Sequence, residues 1–169
     1  MKKKLVAVLW DSFIEEVKSP GVLDSYLIYY LAIVNWITNN TRYFGDNSIK
    51  SKRLEICINL DPTLYVIDEP ELSLSMELDR LERIKPSKMD TLVMVIEDTL
   101  WDLVTIKSGK DCPNCTDDEL RYVLAKNESK LLLECDTCGW IEYENGCKWD
   151  GGYTQVIPAS KNDLLQFGI

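Results

Sequence analysis

The chain has no histidine in its 169 residues. That absence removes serine–histidine and cysteine–histidine nucleophile pairs, histidine general bases and histidine metal ligands together. There is also no glycine-rich phosphate-binding loop and no nucleophile elbow. Carboxylate chemistry survives these exclusions, but the commonest hydrolytic and zinc-catalytic arrangements do not. The expectation is a binding protein and not an enzyme. Long hydrophobic runs are missing as well. The most apolar stretch, residues 22–37, is interrupted by Asp24, Ser25 and Asn35, and its longest unbroken run is too short to span a bilayer. Residues 1–10 place three lysines before a short apolar run, yet Asp11 follows at once and no small-residue cleavage site appears. These features predict a soluble, cytoplasmic protein that does not engage a membrane.

What is present is ordinary globular composition: 46% hydrophobic and 28% charged residues, enough to build a core and too apolar for disorder. Five tryptophans and eight tyrosines supply large surfaces that must be covered by the core or by a partner. The formal net charge of −9 is unevenly spread. Residues 1–60 carry 8 basic and 6 acidic side chains, residues 61–104 carry 4 and 11, and residues 105–169 carry 7 and 11. The middle segment, at −7, argues against nucleic acid as its partner and suits either solubility or a basic protein.

Periodicity predicts an α+β chain with an N-terminal α-hairpin, a small antiparallel sheet and a C-terminal metal ribbon. Val6, Leu9 or Trp10, Phe13 and Val17 form one helical stripe over residues 2–18, stopped by Ser19-Pro20-Gly21. A second helix is expected over residues 22–38. Leu54, Ile56, Ile58 and Leu60 alternate with polar residues and Cys57, predicting a strand with Cys57 as a small buried hydrophobe. Short strands are also expected at residues 64–67, 91–96 and 103–106, with residues 98–101 alternatively extending a helix. A helix over residues 70–84 would start at Pro70, capped by Asp68 or Glu69. The composition changes near Ser108-Gly109-Lys110, which divides the chain into an expected core, residues 1–108, and an expected ribbon module with its tail, residues 109–169.

Cys112-Pro113-Asn114-Cys115 is followed after nineteen residues by Cys135-Asp136-Thr137-Cys138-Gly139. The spacing C-x2-C-x19-C-x2-C is that of a four-cysteine metal site, because each short loop turns tightly enough to aim two sulfurs at one ion. Strands at residues 120–124 and 130–133, joined by Lys126-Asn127-Glu128-Ser129, would bring the two loops together. Two disulfides or free thiols are the bland alternatives. Residues 107–156 resemble a zinc ribbon, with Cys112, Cys115, Cys135 and Cys138 in the ligand positions. Four thiolates leave no open coordination position, so one structural zinc ion is expected, although a rubredoxin-like iron centre also uses four cysteines and the spacing does not exclude it. Cys147 is read as a bystander.

Asp68, Glu69, Glu71, Glu77 and Asp79 form an acidic patch, and Asp68, Glu69 and Glu71 are the candidate contacts for a basic partner. Trp140, Tyr143, Trp149 and Tyr153 could stack bases, but Glu142, Glu144 and Asp150 among them would repel phosphates. In size, acidity, aromatic content and lack of catalytic residues the chain resembles the small acidic immunity proteins of bacterial toxin systems, including those of contact-dependent growth inhibition. That resemblance implies a non-enzymatic inhibitor that binds and blocks a cognate toxin domain, a nuclease in many cases. No shared motif carries it, so no residue role transfers. The alternative expectation is a zinc-ribbon protein of transcription, translation or RNA handling, for which a basic ribbon face would be the signature.

Overall fold

The computed structural model describes residues 2–44, 52–67, 73–126, 128–151 and 155–169. The chain is mixed α+β and divides into two compact units, Met1–Leu103 and Val104–Ile169. The expected boundary at Ser108-Gly109-Lys110 falls inside the first strand of the second unit.

The first unit opens with α1 (Lys2–Val17) and α2 (Tyr26–Asn40), joined through a 3-10 turn at Val22–Asp24. The stripe read from the sequence is the one α1 buries: Val6, Leu9, Trp10, Phe13 and Val17 are all inside. Phe13 meets Trp36 of α2 edge-on at 5.1 Å, and Trp36 Nε1 donates to Ser12 Oγ at 3.2 Å. Burying side chains of this size contributes about 2–3 kcal/mol each, so these aromatic contacts define the hairpin.

Further along, α3 (Lys52–Ile58), α4 (Pro62–Tyr65), α5 (Leu74–Arg83) and α6 (Met89–Val104) complete the unit. The strands expected at residues 54–60, 64–67 and 91–96 are therefore helices, and residues 103–106 are the end of α6 and the two residues beyond it. In α3 the buried positions are Leu54 and Cys57, three apart, with Ile58 half-buried; the apparent alternation was one helical face seen through a short window. Asp61-Pro62 starts a helix instead of ending a strand: Asp61 accepts the Thr63 N–H at 3.0 Å and Pro62 takes the first turn. In α6, Leu92, Ile96, Leu100 and Val104 recur at helical spacing over sixteen residues, a length that no strand of this size reaches. Helix α5 begins after Ser73, whose hydroxyl caps it by accepting the Met76 N–H at 3.3 Å. Pro70 and its expected caps, Asp68 and Glu69, lie outside the described residues.

The second unit is an antiparallel sheet of β1 (Lys107–Asp111), β2 (Glu119–Ala125), β3 (Lys130–Glu134), β4 (Ile141–Glu142) and β5 (Val156–Pro158), followed by α7 (Lys161–Phe167). The order is β1-β2-β3-β4, and β5 also pairs with β2. Because β3 runs along one edge of β2, β1 and β5 divide the other: β1 meets residues 119–121 and β5 meets residues 123–125. Leu120, Tyr122 and Leu124 of β2 and Leu131 and Leu133 of β3 share one face. At one end of that face Leu120 and Leu133 pack with Cys112 and Cys135; at the other, Leu124 and Leu131 pack with Ala159 and Leu164. A capping box between Ser160 and Asp163 starts α7, and Gly168, at φ 81°, ends it. Among the described residues, no helix is long and apolar enough to cross a membrane.

Candidate metal centre

The sheet brings the two Cys-x-x-Cys loops to the same end. Cys112 follows β1 directly, and Cys135 follows β3 directly. Leu133 and Cys135 lie two apart along one chain, so Cys135 continues the apolar face at its open end. The sulfurs of Cys112, Cys115, Cys135 and Cys138 all lie within 4.8 Å of one another, and this set can hold one metal ion. Cys112 Sγ is 3.6 Å from Cys138 Sγ, and Cys115 Sγ is 3.6 Å from Cys135 Sγ. Four ligands at about 2.3 Å from a central ion in a tetrahedron require separations of this size.

Each loop is a closed turn of the same design. Cys112 N donates to the Asp118 carbonyl at 2.9 Å and Cys135 N to the Trp140 carbonyl at 2.8 Å. Backbone N–H groups then point at sulfur: Asn114 N lies 3.4 Å from Cys112 Sγ, Asp117 N donates to Cys115, Cys138 N to Cys135 and Trp140 N to Cys138. Donors fixed by the turn stabilise thiolate charge before any ion arrives. The loops are also tied together, by Asn114 Nδ2 on Cys138 Sγ at 3.4 Å and by Thr137 Oγ1 on Asp118 Oδ2 at 3.3 Å.

The four sulfurs are not equivalent. Cys112 and Cys135 are fully buried, Cys115 is half-buried and Cys138 is exposed. The Asn114 amide, helped by the Trp140 N–H and the neighbouring thiols, draws the Cys138 thiol down to about 6. Burial pushes Cys135 up to about 12. Charge on the metal-free cluster therefore gathers first on the outermost sulfur. Two contributors, Asn114 and Thr116, whose N–H donates to the Cys112 carbonyl, are not singled out by composition or periodicity; Asn114 was nevertheless visible as the polar residue inside Cys-Pro-Asn-Cys.

The other candidates separate. Cys147 is exposed, in the turn after Tyr143, and does not join the cluster; Cys57 is buried in α3, where its carbonyl accepts from the Tyr30 hydroxyl. Asp68, Glu69 and Glu71 lie outside the described residues. Glu77 is buried, gripped by Arg80 through Nε at 2.8 Å and Nη2 at 2.6 Å and by the Thr99 hydroxyl at 3.0 Å, whereas Asp79 is exposed. The acidic patch is thus partly an internal network. Trp149 is buried against Tyr143 at 5.2 Å, and Trp140 packs on the cysteine cluster with Nε1 donating to Glu142 at 2.9 Å. Tyr153 lies outside the described residues. Compared with protein-family models, curated proteins and solved structures, the chain matches none.

Proposed function

We propose that the chain is a non-enzymatic binding protein, in which one structural zinc ion holds a ribbon and an acidic surface captures a basic protein. The observation that supports the metal reading is the closed set of four sulfurs within 4.8 Å. A tetrathiolate shell has no position left for water or substrate, so the ion contributes folding energy to a small module and performs no chemistry. Zinc is favoured over iron because it is redox-inert and accepts this geometry without cost. Cys112, Cys115, Cys135 and Cys138 would be its ligands.

The partner reading rests on charge. Residues 61–104 carry a net −7, and a protein rich in lysine or arginine would be drawn to them. A toxin domain, a nuclease above all, is the basic partner whose active site such carboxylates would block by standing in for phosphates, as the resemblance to immunity proteins implies. The test is capture from the native host, followed by association kinetics on the purified pair. One small basic toxin, whose association slows strongly at low salt when Asp68, Glu69 and Glu71 are reversed to lysine, is the expected result. Association rates indifferent to those reversals would reduce the acidity to a solubility feature. A second reading, RNA or DNA handling, draws on Lys148 standing 4.8 Å over the Trp140 ring and Lys130 5.6 Å over Trp149. Nucleic-acid binding at physiological salt, lost on removing Trp140, would favour it over the first.

A further inference from the structure

We infer that the metal cluster is a target for hydroperoxides: Cys138 is the sulfur attacked, and the product is a Cys112–Cys138 disulfide across the two loops, with loss of the metal. This rests on the zinc reading above and adds to it, since a structural ion need not be one that oxidation removes.

Access comes first. Cys138 is the one ligand sulfur of the four on an exposed residue. Cys112 and Cys135, at no exposure, are shielded by Leu120 and Leu133.

Charge comes second. Residues 112–119 and 135–142 contain no lysine or arginine, but they do contain Asp117, Asp118, Glu119, Asp136 and Glu142. Zinc held by four thiolates carries a net −2, and these carboxylates add to it. Anionic oxidants are repelled from such a site, while an uncharged hydroperoxide is not. No cation in either loop draws electron density from the sulfurs, so they keep their nucleophilicity while bound.

Geometry selects the partner. Cys138 sulfur attacks one peroxide oxygen; the S–O bond forms, the O–O bond breaks, and hydroxide leaves to take a proton as water. The resulting sulfenic acid is a poor ligand. Cys112 thiolate, 3.6 Å away, attacks that sulfur, forming the S–S bond and expelling the second oxygen, which also leaves as water. Two thiolates, one peroxide and two protons give one disulfide and two waters. Cys115 and Cys135 remain as a second pair 3.6 Å apart, and two ligands cannot retain the ion. A second equivalent of peroxide would join them in turn.

The test uses the full chain loaded with one equivalent of zinc and treated with one equivalent of hydrogen peroxide. Zinc release is followed with a metallochromic dye, and the cysteines are mapped by mass spectrometry after alkylation. Release accompanied by a Cys112–Cys138 cross-linked peptide is expected. Asn114→Ala, which removes the side-chain donor from Cys138, should lose zinc about fivefold faster, the factor one net hydrogen bond is worth. Cys147→Ser should match the parent. Zinc retained under peroxide, a Cys135–Cys138 product, or a product containing Cys147 overturns the inference and leaves the zinc reading standing. A chain that takes up no zinc before peroxide is added overturns both.

Discussion

Thr116 stands to Cys112 as Gly139 stands to Cys135. Each follows the second cysteine of its loop, each donates its N–H to the carbonyl of the first, at 3.0 and 2.9 Å, and each has a positive φ, 58° and 70°. Glycine adopts that conformation without penalty, whereas a β-branched residue is strained there. The two loops are therefore one design executed twice, once with its natural residue and once without.

Replacing Thr116 with glycine should accordingly stabilise the metal-loaded chain, by about 1 kcal/mol, despite the loss of the exposed hydroxyl's bond to the Cys115 carbonyl. Denaturant unfolding of the zinc-bound protein reads this directly. A destabilised variant would mean that the threonine hydroxyl contributes more than its backbone costs.

Cys135→Ser should dismantle the ribbon and spare the helical hairpin. The metal contributes its energy locally, at the loops, while α1 and α2 bury Trp10, Phe13, Tyr29 and Trp36 within their own unit. Far-ultraviolet circular dichroism should keep most of its helical signal while the metal is lost. Loss of the whole signal would show that the two units fold as one.

Acid should release the metal, and Asn114 should set where. A thiol held below its ordinary value of 9 contributes stability that is full above that value and is lost as pH falls through about 6. Asn114→Ala withdraws the largest cause of that lowering, so its metal should escape at a higher pH than the parent's. Dye-detected release across a pH series decides it; coincident curves would remove Asn114 from the site.

Glu77→Ala should cost about 2 kcal/mol of stability, because it strands the bidentate Arg80 guanidinium beside the buried Thr99 hydroxyl. Arg80 is 40% exposed, which limits the penalty by letting water reach it. Glu77→Gln, which retains the shape and an acceptor, should lose less. A Gln loss equal to the Ala loss would assign the whole effect to the charged pair, and an unaffected Gln variant would assign it to packing and the retained acceptor.

The four-cysteine cluster was legible in the sequence because cysteine spacing is set by local turns, and local turns do not depend on tertiary context. The same holds for the stripe on α1 and the hairpin of β2 and β3. Misreadings fell where a short apolar run fits two periods. Leu54-Glu55-Ile56-Cys57-Ile58 alternates in hydrophobicity, yet it folds as a helix that buries 54 and 57. Residues 91–96 look like a buried strand until Leu100, Leu103 and Val104 extend the pattern into a sixteen-residue helix. The strands β1, β4 and β5 carry little signal of their own: Lys107–Asp111 is mostly polar, and two or three residues suffice for the others. They are strands because β2 and β3 offer them edges. Helix α7 went unread, although Ser160 three residues before Asp163 and Gly168 after the last turn are its start and stop signals.

The sharing of one β2 edge by β1 and β5 gives the last stretch of the chain a protective duty. Among the described residues, Val156–Pro158 is the segment that pairs with residues 123–125 on that side. A chain cut short before Val156 would present them bare, next to the apolar side chains of Val123 and Leu124. Such an uncovered margin is a template on which a second copy can add its own strand. The terminal segment thus works as a selvedge, a finished border that keeps the sheet from being extended by its neighbours.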